Sequence, residues 1–322
     1  MESSLKDYMV GVCIGQGSFG TVYHGVHKET DRDVAIKLYD KTSLNKHPDW
    51  LNAVLIEQRV LRTLVDCPFV ATLLAAFHDD QFVYLVLELF LKGTLTQFLE
   101  QKPTMDEQTW LSHSVEVALG MAGAVEAIHK YHVIHADLKP DNLLLTADSR
   151  KVVVIDFGSA ILTSTLSEEP LRKIAVLRGT AEYAAPELIH GNCTPTVSVD
   201  LWSFGCLLHT LWTGTSPFHA DSEASILDRV IAHANGDLSS ANFGATVPST
   251  LLDLICRLLD PDPEIRVCCG FSPVKSVLNS DEIKSLLPST RPNPTLLRDT
   301  EWAHETSRST MKDGNLGWGV FL

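Results

Sequence analysis

Three glycines at positions 15, 17 and 20, followed at once by Thr21-Val22-Tyr23, constrain this chain more than any other feature. Glycines so spaced let a backbone turn tightly and approach a ligand with no Cβ in the way. In a dinucleotide-binding unit the same pattern runs on into a helix. Here a β-branched run comes next, so the pattern predicts strand–turn–strand, with Tyr8 to Ile14 and Thr21 to Val26 as its arms. The glycines alone also fit a plain hairpin. They become specific through the motifs downstream of them, which come in a fixed order. Val34-Ala35-Ile36-Lys37 is first, then His135-Ala136-Asp137 with Asn142, then Asp156-Phe157-Gly158, then Ala185-Pro186-Glu187.

The first ninety residues read mostly as strand. Val34 to Tyr39 and the apolar run Phe82 to Leu89 add to the opening hairpin. One helix interrupts them from Trp50 to Leu64, where Leu51, Val54, Leu55, Gln58, Leu61 and Arg62 step at three and four residues. Beyond Gly93 the pattern turns helical, over Trp110 to Tyr131, Val197 to Trp212 and Pro248 to Leu259. A small β-rich lobe therefore precedes a larger α-rich one, with a hinge at Phe90 to Gly93. The Pro-, Arg-, Ser- and Thr-rich stretch after Leu287 reads as a tail with little core of its own.

At 322 residues, one large domain or two lobes are both accommodated. A formal charge of −14 argues against non-specific nucleic-acid binding. It fits an acidic, soluble surface better than a device for drawing in basic substrates. No apolar run approaches the roughly 20 residues of a membrane span, and the first seven residues hold no apolar signal core. The seven cysteines follow neither metal-site nor secreted spacing. Adjacent Cys268 and Cys269 would make a strained bridge, so buried free thiols are expected. A reducing compartment is implied, cytoplasmic or nuclear, with peripheral membrane association left open. The chain reads as a monomer.

Together the motifs resemble those of a eukaryotic-type protein kinase, from about Asp7 to about Leu287. Glu57-Gln58-Arg59-Val60-Leu61 followed by Pro68-Phe69-Val70 is similar to the AGC group. Gly179-Thr180-Ala181-Glu182-Tyr183 and Gly270-Phe271-Ser272-Pro273-Val274-Lys275 look like the phosphoinositide-dependent kinases within it. The resemblance implies an α+β bilobal kinase fold. A small β-rich N-lobe with helix αC would span 7–90, a larger helical C-lobe 91–287 and a tail 288–322. It implies transfer of the γ-phosphoryl of ATP to Ser or Thr hydroxyls of a protein substrate, with Mg²⁺ as cofactor.

The resemblance also assigns residues. Gly15, Gly17, Ser18, Phe19 and Gly20 would cover the phosphates, with Phe19 at the loop tip. Ile14, Val22, Ala35 and Leu144 would enclose the adenine, and Leu87 would guard its back. The backbone of Glu88 and Phe90 would bond its edge. Thr94 stands where many AGC kinases carry a ribose-contacting glutamate, which puts a strong basic-residue preference in doubt. Lys37 would hold the α- and β-phosphates, fixed by Glu57. Asp137 would orient the substrate hydroxyl and Lys139 would offset charge on the moving phosphoryl. Thr180 would contact both. Asn142 and Asp156 would hold Mg²⁺. Glu187 with Arg266, and Asp200 against the catalytic loop, would be structural.

Two departures stand out. Ala136 replaces the arginine that usually receives an activation-loop phosphate, and Ile174-Ala175-Val176-Leu177-Arg178 holds no Ser or Thr. An enzyme that does not depend on loop phosphorylation is the expectation, with Thr163, Ser164, Thr165 and Ser167 left as other sites. Lys41 and Leu44 match the groove by which phosphoinositide-dependent kinases dock other kinases, though Gln58 replaces the phosphate-reading arginine. The ending Gly317-Trp318-Gly319-Val320-Phe321-Leu322 would either fold into that groove or fray. No lipid-binding module is expected. An ATP-binding pseudokinase scaffold is the alternative, and a small-molecule phosphotransferase a third reading. Intact Lys37, Asp137, Asn142 and Asp156 count against the first. Ala185-Pro186-Glu187 and the long segment before it count against the second.

Overall fold

The computed structural model describes residues 3–17, 20–146, 151–163, 180–191, 194–237, 241–243 and 247–287. Ser18, Phe19, residues 164–179 and the tail 288–322 lie outside the described residues.

Strands β1 (Tyr8–Gln16), β2 (Thr21–His27) and β3 (Arg32–Asp40) form the antiparallel start of a five-stranded sheet. Gln16 opposite Thr21 closes the glycine turn. Helices α1 (Lys41–Lys46) and α2 (Pro48–Thr63) come next. Then β4 (Leu73–His78) and β5 (Phe82–Glu88) complete the order β1-β2-β3-β5-β4. The Asp40 carboxylate starts α1 by accepting the amides of Thr42 and Ser43. Pro48 opens α2, where its missing N–H costs nothing.

The buried face of α2 is Ala53, Val54, Glu57, Val60 and Leu61. That corrects the expected stripe, since Leu51 and Leu55 are exposed, Leu55 by 53%. The helix is rotated so that a carboxylate faces inward. A search for apolar periodicity reads such a position as outward.

The large lobe begins with α3 (Leu95–Leu99) and the 24-residue α4 (Glu107–Lys130), which Asp106 caps. Short strands β6 (Val133–Ile134), β7 (Leu143–Leu145), β8 (Val152–Val154) and β9 (Ile161–Leu162) pair as β6–β9 and β7–β8. Then come α5 (Pro186–His190), α6 (Ser198–Thr213), α7 (Glu223–Ala234), α8 (Ser249–Leu258), α9 (Pro263–Cys269), α10 (Ser272–Leu278) and α11 (Asp281–Leu286). Every residue of α6 from Ser198 to Trp212 is buried. A helix buried all round belongs at the centre of a large lobe. Gly205 lets α8 come close, because a Cβ there would lie 2.9 Å from the Leu258 Cβ. The Trp110 indole donates to the Leu211 carbonyl at 3.1 Å, and Lys102 to that of Trp212 at 3.0 Å.

Glu187 and the fully buried Arg266 form the expected ion pair, with the guanidinium stacked on Trp202 at 5.4 Å. The cysteines differ from expectation. Cys67, Cys206 and Cys269 are buried free thiols, but Cys13, Cys256 and Cys268 are exposed.

Candidate active site

Register sets the first half of the site. On β3, Lys37 lies between Val22 of β2 and Leu85 of β5. Its Nζ meets Glu57 Oε1 at 2.8 Å, Glu57 Oε2 at 3.0 Å and Asp156 Oδ1 at 2.9 Å. Burial alone would discharge this lysine. The carboxylates of Glu57 and Asp156 outweigh it and hold Lys37 well above the ordinary lysine range. Burial likewise works against a charged Asp156, and Lys37 beside it keeps that carboxyl below the usual range. The Asp156 side chain remains 38% exposed. Tyr39, two residues beyond Lys37, donates its hydroxyl to Glu57 Oε2. Gly17, Gly20, Lys37, Tyr39, Glu57 and Asp156 line one cavity with Ala53, Val54 and Gly158. Gly20 is required there for packing, since a Cβ would sit 2.6 Å from the Leu38 carbonyl oxygen.

The loop after β6 supplies the second half. Asp137 Oδ2 accepts from Lys139 at 3.0 Å and from the Asn142 amide at 3.2 Å. The same amide donates to the Asp137 carbonyl at 2.8 Å. Burial lifts Asp137 above the usual carboxylate value, Lys139 opposes this, and the charge on Asp156 adds to the rise. Thr180 reaches Asp137 Oδ1 through its backbone N–H, at 3.4 Å. Of the two expected contacts, the one with Asp137 is therefore made by the main chain.

Buried Asp200 fixes this loop from below. Its two oxygens accept the amides of His135 and Ala136, each at 2.8 Å, and His129 Nε2 at 2.8 Å. Burial opposes a charged Asp200, but the His129 hydrogen bond leads the groups that hold its carboxyl below the usual range. Ala136 and Asp156 adopt left-handed backbone at φ 60° and 63°. A non-glycine residue there costs of order 1 kcal/mol, which surrounding contacts must offset. Tyr39 and His129 are absent from the sequence assignment, because each partner lies on a distant element.

Of the residues assigned to the adenine, Ile14 and Val22 are half-buried against the core that holds Ala35 and Leu87. Leu144 on β7 is half-buried and bridges to Thr94. The Thr94 hydroxyl caps α3. Gly15 faces Val22 across the hairpin. The Glu88 amide is bonded to the Thr72 carbonyl at 3.0 Å, so that amide is not offered to an adenine. Phe90 lies just past the end of β5. At the expected docking edge, Leu44 is only 2% exposed and belongs to the core. Lys41 bonds His78 at 3.1 Å and the Asp79 carbonyl. Leu44 therefore supports that edge from within and does not line a groove.

Among the described residues no three His, Cys, Asp or Glu side chains gather to hold a metal. The donors present, a carboxylate on Asp156 and the amide oxygen of Asn142, suit a hard cation that shares its shell with phosphate and water. The Asn142 amide nitrogen is committed to Asp137, which leaves that oxygen free to act as a ligand.

The protein kinase domain family matches residues 8–280. The chain is similar to the human phosphorylase b kinase gamma catalytic chain, liver/testis isoform, at 32% identity, over 79% of this chain and 62% of the relative. It is 30% identical to human 3-phosphoinositide-dependent protein kinase 1, over 84% of this chain and 47% of that one. It is 33% identical to the Aurora kinase of Schizosaccharomyces pombe, over 83% and 70%. The chain thus spans less than two thirds of the first two relatives.

Proposed function

This chain belongs to the protein kinase family, and from that premise we propose that it is a serine/threonine kinase moving the γ-phosphoryl of ATP to a protein hydroxyl. One observation carries the reading. A lysine is clamped between Glu57 and Asp156, and the Asp156 charge in turn acts on a second carboxylate, Asp137, whose orientation Lys139, Asn142 and Thr180 set. An intact set of this kind favours an enzyme over a scaffold.

In this reading Lys37 holds the α- and β-phosphates from a position fixed before ATP arrives. Asp137 accepts the proton of the substrate hydroxyl as its oxygen attacks the γ-phosphorus. The bond from that phosphorus to the β–γ bridging oxygen breaks, and ADP leaves. Lys139 balances charge on the transferring group. Asp156 and Asn142 would hold Mg²⁺, which supplies neutralisation of the phosphate charge. Positioning and electrostatics supply the acceleration, with no covalent enzyme intermediate.

Membership of the AGC group, a phosphoinositide-dependent type and action on other kinases are the finer parts of the proposal. So are a monomer, a cytoplasmic site and lobes divided at 90 and 287. Independence from loop phosphorylation belongs here too. Ala136 offers no cation, and the segment root is an apolar pairing of Val133 with Leu162 and of Ile134 with Ile161. That root needs no phosphate to hold it.

Transfer of labelled phosphate from ATP onto a peptide library tests the activity. Incorporation at Ser and Thr is expected, and its abolition by Asp137→Asn. Equal incorporation by that variant would overturn the reading. Phosphatase treatment should leave the rate unchanged, and a large loss would overturn loop independence.

A further inference from the structure

We propose that Tyr39 is a positioning residue for phosphoryl transfer, its hydroxyl locking the Glu57 carboxylate onto Lys37 and so keeping α2 seated. This rests on the kinase reading above.

Alternation along β3 puts Lys37 and Tyr39 on one face of the strand. Tyr39 is 2% exposed. Its ring contributes twice. The Lys37 ammonium lies 5.5 Å from the ring centroid. Gly20 of the glycine turn comes so close that a Cβ there would lie 2.9 Å from the ring Cδ1. A phenylalanine could make both contacts. The hydroxyl does something else, since it reaches across to α2 and donates to Glu57 Oε2, the oxygen that Lys37 meets at 3.0 Å. One side chain therefore touches the glycine turn, the lysine and the helix carboxylate, inside the cavity they share.

The consequence concerns α2. A side-chain ion pair between strand and helix breaks whenever the helix shifts, and the separated groups then regain water. A buried phenol has no such recourse, because moving Glu57 away leaves its O–H without an acceptor. The displaced arrangement is thereby disfavoured. Burial, with the Glu57 carboxylate adding, holds the phenol well above its ordinary value, so it remains a donor throughout the working pH range. The outer side of the same helix leaves Leu51 and Leu55 to solvent. The inward hydroxyl thus seats α2 from within the lobe.

The test uses the full chain with Tyr39→Phe, which keeps the ring and removes the donor. The kcat/KM for ATP should fall about tenfold, with a melting shift of no more than about 4 °C. In a Glu57→Met background, which offers the phenol no acceptor, the same change should alter transfer by less than about twofold, because the coupled partner is already gone. Hydrogen exchange over residues 48–63 should quicken in Tyr39→Phe while α6 stays protected. Unchanged transfer and exchange in Tyr39→Phe overturn the proposal. A full further tenfold loss on top of Glu57→Met also overturns it, since that marks a packing role alone. An inactive wild type would instead sink the kinase reading, and the exchange rates of α2 would still decide whether the lock exists.

Discussion

Glu57 in the small lobe and Asp200 in the large lobe are both buried carboxylates that fix a working part, and they are held by different kinds of partner. Asp200 sits on α6, which is buried on every side, and accepts two backbone amides and one imidazole. Glu57 sits on α2, one face of which meets solvent, and accepts an ammonium and a phenol. An acid bonded to main chain becomes part of the framework. An acid bonded to side chains makes a joint that Lys37 and Tyr39 alone hold, so it can part, at the cost of those hydrogen bonds, without unfolding the main chain. The difference assigns stability to one carboxylate and rate to the other.

The largest expected effect breaks the framework. Asp200→Ala leaves two buried amides unpaired and should cost roughly 3–5 kcal/mol in a denaturation titration. A loss under about 1 kcal/mol would erase the contrast. Next, Glu57→Gln should lower the rate of transfer about a hundredfold. Its cost in unfolding free energy should stay below about 2 kcal/mol. Equal damage to stability in both variants would mean that the two acids do the same job.

The smallest effect is a pH dependence centred on the large lobe. Burial lowers His113, His209 and His233 below the ordinary imidazole value, which lies near about 6.5. Glu116 opposes this at His113, and the Leu259 carbonyl, Asp260 and Asp237 oppose it at His233. A base so depressed binds fewer protons folded than unfolded. Its stabilisation is present above the ordinary value and is lost as pH falls below it. The melting midpoint should therefore drop by a few degrees, roughly 2–4 °C, between neutral and mildly acidic solution. His113→Phe should reduce that drop, because neither nitrogen of the His113 ring has a hydrogen-bond partner among the described residues. A flat profile would remove the histidines from the account.

Much of this arrangement was legible in the residues. The glycine turn with its β-branched sequel placed β1 and β2 to within two residues, and the helix around Glu57 was expected over Trp50 to Leu64 against the observed Pro48–Thr63. Its rotation was not legible, because a buried carboxylate on the inward face looks outward to any apolar count. Strand β4 was missed, since Leu73-Leu74-Ala75-Ala76 lacks β-branched residues and is held by its neighbour β5. The pairing of Lys37 with Glu57 came from motif resemblance. The third member, Tyr39, carried no motif, and only the fold brings its hydroxyl to Glu57. Leu44 was misplaced for a related reason, as a leucine in a charged, polar helix such as Lys41–Lys46 gives no sign of which side it faces.

Helix α6 anchors the catalytic loop at its first turn and receives Trp110 and Lys102 at its last. Such a rod has no outward side on which to accept a regulator. Heat that melts the far end of α6 should therefore also loosen the anchor of the loop around Asp137.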